Sequence, residues 1–117
     1  MQDKHNFHVK FLSDAARFLD EIDVKAKEKI LYNIRKAQMA NDRTLFKKLT
    51  KEIWEFRTLH KRTYYRLFAF WERAEGKDSL VLATHGLIKK TGKLPKQELN
   101  RAERIRTEHL NLKAKRK

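Results

Sequence analysis

Thr63-Tyr64-Tyr65-Arg66-Leu67-Phe68-Ala69-Phe70-Trp71-Glu72 is apolar on both sides of an extended chain. Side chains alternate across a strand. Tyr65, Leu67, Ala69 and Trp71 therefore fall on one face and Tyr64, Phe68 and Phe70 on the other. Such a strand needs cover on both faces, which places it at the centre of a sheet. Upstream, Glu52–Leu59 (EIWEFRTL) puts Trp54 and Phe56 on one face and Glu55 and Arg57 on the other. His60–Arg62 would turn the chain between the two runs, without an Asn-Gly signature. Downstream, Asp78–Gly86 (DSLVLATHG) reads as a further strand after a turn at Glu75-Gly76-Lys77, and Leu87–Leu94 as a loop.

Working outward, Asn6–Leu12 (NFHVKFL) alternates as a half-buried strand, and Ser13 and Asp14 offer N-cap chemistry for a helix. Apolar residues from Ala15 to Ala37 recur at spacings of three and four, the stripe of an amphipathic helix. Asp23 would cap a second helix within residues 13–40, and Asn41 and Asp42 end it. Residues 43–50 read as a connector or a short helical turn. Pro95 sits where a final helix would begin, since its missing N–H costs nothing there, and Leu99, Ala102 and Ile105 give that helix a narrow apolar stripe. The expected fold class is α+β, with N-terminal helices on a small, largely antiparallel sheet and a C-terminal helix. The 117 residues fit a single domain over 1–112 with a frayed basic tail at 113–117.

The chain has no cysteine, which excludes disulfide scaffolds, zinc ribbons and thiol catalysis. No apolar run approaches the ~20 residues of a membrane span, and MQDKHNFH lacks a signal-peptide core. A cytoplasmic location without membrane contact is the expectation. Twenty-nine basic residues face fifteen acidic ones, net +14, with +4 over residues 1–60 and +10 over 61–117. A small protein so basic meets phosphate, in nucleic acid or at an anionic surface, or simply carries a soluble cationic surface.

Catalytic templates are absent: there is no Gly-rich phosphate loop, GxSxG or HExxH. The five histidines show no ligand-like pairing, so neither metal nor cofactor is expected. Arg66 stands out, because it shares a face with Tyr64, Phe68 and Phe70, and a charge there needs a partner or an anionic ligand. It could pair with Glu55 across the hairpin, or grip phosphate on an open sheet face. A second cluster runs from His85 to Thr91, with His85 at a strand end, Lys89 and Lys90 following, and Gly86 and Gly92 letting the backbone bend near a ligand. The final helix carries Lys96, Arg101, Arg104 and Arg106, partly offset by glutamates, and Arg104 can pair with Glu108. Tyr64 and Tyr65 could stack on bases or belong to the core.

Three blocks carry a resemblance: KLTKEIWEFR from Lys48, YYRLFAFW from Tyr64, and LVLATHGLIKKTGKLPKQELNRAERIRTEHL from Leu80. In their order and spacing, from about Phe7 to Leu110, they resemble the RelE/HigB superfamily of bacterial toxins, most closely its phage-derived HigB-like branch in type II toxin–antitoxin systems. The resemblance implies a RelE-like fold and a ribosome-dependent mRNA endonuclease (an mRNA interferase) that inhibits translation without a metal, through attack of the 2′-hydroxyl on the neighbouring phosphate. It implies catalytic roles for Arg57, Arg66, His85, Lys89 and Lys90. Arg66 would stabilise the transition state and Arg57 bind phosphate. The lysines would clamp phosphate or shuttle a proton, and His85 would act as base or acid. Lys61, Arg62, Lys93, Arg101, Arg104 and His109 would contact RNA. The implied partners are the ribosome, mRNA and a helix-turn-helix, HigA-like antitoxin, with DNA touched only through that antitoxin. Two positions depart from the pattern: Phe56 stands where relatives have leucine, and His109 where many place a tyrosine. The competing functions are a non-catalytic nucleic-acid-binding or phage regulatory protein of the same fold, and an interaction module that uses its aromatic sheet face.

Overall fold

A computed structural model describes residues 7–40, 42–72, 80–89 and 94–115. The order is β1 (His8–Phe11), α1 (Ser13–Glu21), α2 (Val24–Met39), β2 (Phe46–Lys48), β3 (Trp54–His60), β4 (Thr63–Glu72), β5 (Leu80–Lys89) and α3 (Lys96–Lys115). The strands form one sheet in the order β1-β5-β4-β3-β2. β1 runs parallel to β5 and every other pairing is antiparallel. The α+β class and its layout match the expectation.

β4 is central, and its two apolar faces meet two separate cores. Leu67 and Ala69 join Phe7, Leu19, Ile30, Ile34, Phe46 and Phe56 beneath α1 and α2. Phe68 and Phe70 join Ile53, Leu82 and Ala102 beneath α3. The sheet is thus the middle of three layers. Burying a large apolar side chain is worth roughly 1.5–3 kcal/mol, so the two faces of this one strand hold both outer layers in place.

The helix break is where the sequence puts it: the Asp23 carboxylate accepts the Ala26 N–H at 3.2 Å and caps α2. Other expectations are corrected. Leu12, not Ser13 or Asp14, occupies the α1 N-cap, with no side-chain cap bond. Asp14 instead reaches Arg101 of α3 at 3.1 Å. The connector at 43–50 contains β2, an edge strand of three residues, too short for alternation to register. β5 does not stop at Gly86 but continues to Lys89, because Leu87, Ile88 and Lys89 pair with Arg66, Tyr65 and Tyr64. Gly86 therefore makes no bend toward a ligand. A Cβ there would lie 2.2 Å from the Phe18 ring, so the glycine lets α1 approach the sheet. α3 is helical through Lys115. Asn6, Asn41, the turn at Glu75-Gly76-Lys77, Lys90, Thr91, Gly92, Lys93 and the last two tail residues lie outside the described residues.

Candidate functional site

The registers of β3, β4 and β5 lay out nine side chains on the α3 face in three rows. Glu55, Phe68 and His85 form the first row, Arg57, Arg66 and Leu87 the second, and Leu59, Tyr64 and Lys89 the third. Directly opposed residues in antiparallel strands lie ~4.5–5.5 Å apart at Cα. Arg57, Arg66 and Lys89 thus share one face, although they come from three segments.

Two arginines side by side repel. Glu55 neutralises one of them. Its Oε1 and Oε2 accept from Arg66 Nη1 at 2.7 and 2.9 Å, and its Oε2 lies 3.6 Å from Arg57 Nε. The Glu55 and Arg66 side chains are 1% and 3% exposed, while Arg57 keeps 30% of its surface. The cross-hairpin pair is therefore present and Arg66 is not on an open face. One positive charge remains over the row, and Arg57 carries it to solvent.

Arg57 opens onto a groove of about 360 Å³ at the outer edge of β3. β2 pairs with β3 only as far as Phe56, so among the described residues no strand flanks the edge beyond it. Arg57, Leu59 and Tyr64 line the groove with Lys29 and Asn33 of α2, and the Asn33 amide donates to the Thr58 hydroxyl at 3.1 Å. Lys29 and Asn33 had no signal in the sequence, because a polar residue beside a helical apolar stripe reads as ordinary surface. At the end of the hairpin, exposed Lys61 and Arg62 have φ of 49° and 64°. This is the left-handed pair of a two-residue turn that glycine and asparagine usually fill.

His85 is not at a strand end facing a loop, as expected, but within β5 and 1% exposed. Its ring stacks on Phe68 with centroids 4.8 Å apart. Nε2 lies 3.0 Å from Glu98 of α3 and Nδ1 3.0 Å from the Thr84 hydroxyl. A neutral ring suits the Glu98 carboxylate when Nε2–H donates to it, and the single proton of the Thr84 hydroxyl is then shared between Nδ1 and the Phe68 carbonyl, 3.3 Å away. Burial first, then the Arg101 cation, push its pKa below the usual 6.5, against the pull of Glu98 and Asp14. Both nitrogens are engaged, and a substrate could reach them only if α3 moved.

The cations of α3 mostly meet carboxylates. Arg101 faces Asp14, Arg104 approaches Glu108 at 3.9 Å, Arg106 reaches Glu52 at 3.2 Å, and His109 lies 3.6 Å from Glu72. Lys113 also bonds Glu72. Burial alone would raise the Glu72 carboxyl, but the hydrogen bond and charge of Lys113, joined by His109, outweigh it and hold it below its usual value. Arg101, Arg104 and His109 are thus partly compensated, and the uncompensated cations of the site lie toward the hairpin tip. Lys90 and Lys93 lie outside the described residues. Among the described residues no group of three or more histidine, aspartate and glutamate side chains could hold a metal, and no helix is long and apolar enough to cross a membrane.

No curated protein matches the chain. Residues 17–107, from within α1 to within α3 and including all nine side chains of the three rows, match the family described as phage-derived protein Gp49-like (DUF891). With most of its length matched, the chain belongs to the Gp49-like family of phage-derived proteins, a RelE/HigB-like toxin family.

Proposed function

We propose that the chain is the toxin of a type II toxin–antitoxin pair, an endoribonuclease that cuts messenger RNA on translating ribosomes in the cytoplasm and is silenced by a helix-turn-helix, HigA-like antitoxin. The observation that carries this reading is the convergence of Arg57, Arg66 and Lys89 on one sheet face, beside an open groove, within a toxin-like family. In the proposed reaction the RNA 2′-hydroxyl gives up its proton as its oxygen attacks the adjacent phosphorus, the bond from phosphorus to the 5′-oxygen breaks, and that oxygen takes up a proton. The products are a 2′,3′-cyclic phosphate and a 5′-hydroxyl. Negative charge grows on the phosphoryl oxygens, where a fixed guanidinium helps most. Arg57 is the arginine with access to that phosphate. Arg66, locked by Glu55, adds positive potential and holds the row in register. Lys89, beside Tyr64, contacts a second phosphate or carries a proton, with Lys90 in the same role, while Lys61, Arg62 and Lys93 dock the strand. Arg101, Arg104 and His109 make at most peripheral contacts, and His85 supports the sheet rather than touching substrate.

The test is induced expression in a translating bacterium without the antitoxin. Growth should stop, and new 5′ ends should map within translated messages. Arg57→Ala should restore growth and lower cleavage by about a hundredfold or more, the scale of one lost transition-state donor. Unchanged growth on expression of the parent protein would overturn the reading. The burial of Arg66 and His85 favours a second one, a non-catalytic RNA-binding protein of the same fold. For that protein Arg57→Ala would weaken binding and no cleaved ends would appear.

A further inference from the structure

The two tryptophans of the chain stand together at the other end of the hairpin from Lys61 and Arg62. Trp54 begins β3 and Trp71 lies near the end of β4, with centroids 5.8 Å apart and planes at 78°. Phe46 of the edge strand stacks on Trp54 at 4.8 Å, and Phe7 meets Trp71 edge-on at 5.3 Å. Phe46 and Phe7 are buried, whereas both indoles keep part of their surface in solvent. Two hollows of about 460 and 440 Å³ adjoin here and share Arg43, Phe46 and Trp54. Their volumes lie in the ~300–1,000 Å³ range of small-ligand sites.

The rim is cationic. Arg43, Lys47 and Lys48 line it, all exposed and with no ion pair among the described residues. The α3 cations, by contrast, are mostly matched to carboxylates. The acids nearby are occupied: Thr44 donates to Asp42 Oδ1 from its N–H at 2.9 Å and from its hydroxyl at 2.5 Å, and Glu52 and Glu72, which line the adjoining hollow on Trp54 and Trp71, pair with Arg106 and with Lys113 and His109. Partly exposed aromatic planes bordered by unpaired cations are what a single-stranded nucleic acid requires, a stacking surface for bases and positive charge for the backbone. An apolar protein segment would gain nothing from the cations, and an acidic peptide nothing specific from two indole faces.

We propose that Trp54 and Trp71, with Arg43, Lys47 and Lys48, form a second RNA-binding site that stacks unpaired bases about 20 Å of strand away from the hairpin tip. It lies on the opposite sheet face from Arg57, around the β2 edge. The choice of RNA as ligand rests on the proposed function; the site itself rests on this geometry. It would hold a stretch of single strand outside the cleavage groove.

Because the protein has no other tryptophan, its indole emission reports on this site alone. The full chain is titrated with an adenosine hexaribonucleotide at low salt. Saturable quenching is expected, with log affinity falling by about 0.7 per decade of log salt for each phosphate contacted. Arg43→Ala/Lys47→Ala/Lys48→Ala changes only exposed side chains and should weaken binding at least tenfold with the melting temperature kept. Trp71→Phe should retain a Trp54 signal with lower affinity. No quenching overturns the site. So does equal displacement by inorganic tripolyphosphate, which marks charge without stacking, and so does tighter binding of a hexaglutamate peptide, which marks a protein dock. Arg57→Ala separates the two proposals. Growth arrest by the parent protein without quenching refutes only this site, and quenching without arrest refutes only the toxin.

Discussion

Glu55→Gln keeps the shape of a side chain and removes its charge. In the folded protein Arg66 would then remain 3% exposed, facing an amide through Nη1 where it now meets both carboxylate oxygens. Arg57, 3.6 Å away, loses the same counter-charge but can turn into solvent, so its share is small. Removing one of the two charges of a buried ion pair costs about 3–5 kcal/mol. Unfolding entropy near 2.1 cal/mol/K per residue gives roughly 0.25 kcal/mol per kelvin for a chain of this length, so the melting temperature should fall by about 12–20 °C. The double variant Glu55→Leu/Arg66→Met removes both charges and should recover to within ~1 kcal/mol of the parent, since a buried pair gains little over apolar side chains of similar size. Circular-dichroism melts and urea titrations of the parent, the single and the double variant read this directly. A single variant melting within about 4 °C of the parent would refute the claim that Arg66 depends on the Glu55 charge. A double variant as unstable as the single one would show that hydrogen-bond geometry, not charge, was lost.

Two further outcomes follow from the geometry. His85 has its folded pKa below 6.5, so below that pH the unfolded chain binds a proton that the folded one resists. Stability should be complete above pH 6.5 and decline as the pH falls from there toward the folded value. Urea midpoints between pH 7.5 and 5.5 should drop for the parent and stay flatter for His85→Asn. Lys61→Asn/Arg62→Gly places in the left-handed turn the residues it prefers, relieving roughly 1 kcal/mol or more of backbone strain. The urea midpoint should rise while affinity for single-stranded RNA falls, and an unchanged midpoint would count against strain at the turn.

The architecture was legible because β4 states its own surroundings. Ten residues apolar on both faces demand two covering layers, and the stripes beginning at Ala15 and Leu99 supply them. The pairing of Glu55 with Arg66 was also within reach, since alternation puts both on the same face of adjoining strands. Burial was less visible. A bulge between Phe68 and Ala69 shifts the β5 register and brings His85 beside Phe68, and α3 then covers it; neither event leaves a mark on the local pattern Ala-Thr-His-Gly. β2 escaped because three residues carry no period, and its presence is settled by Phe46 stacking on Phe56 at 4.3 Å. Lys29 and Asn33 entered the site only through the packing of α2 along β3.

The parallel pairing of β1 with β5 ties the two ends of the chain together: His8 lies opposite Leu80, and Asp14 grips Arg101. Contacts so distant in sequence are slow to form, because a long loop must close first. During synthesis β1 has no partner until β5 has left the ribosome exit tunnel. A prematurely terminated product ending before residue 80 would lack the strand that carries Lys89 and the seat for Phe18. The cationic rows would then be incomplete. The three rows of side chains are therefore complete only in a chain whose β5 has joined the sheet.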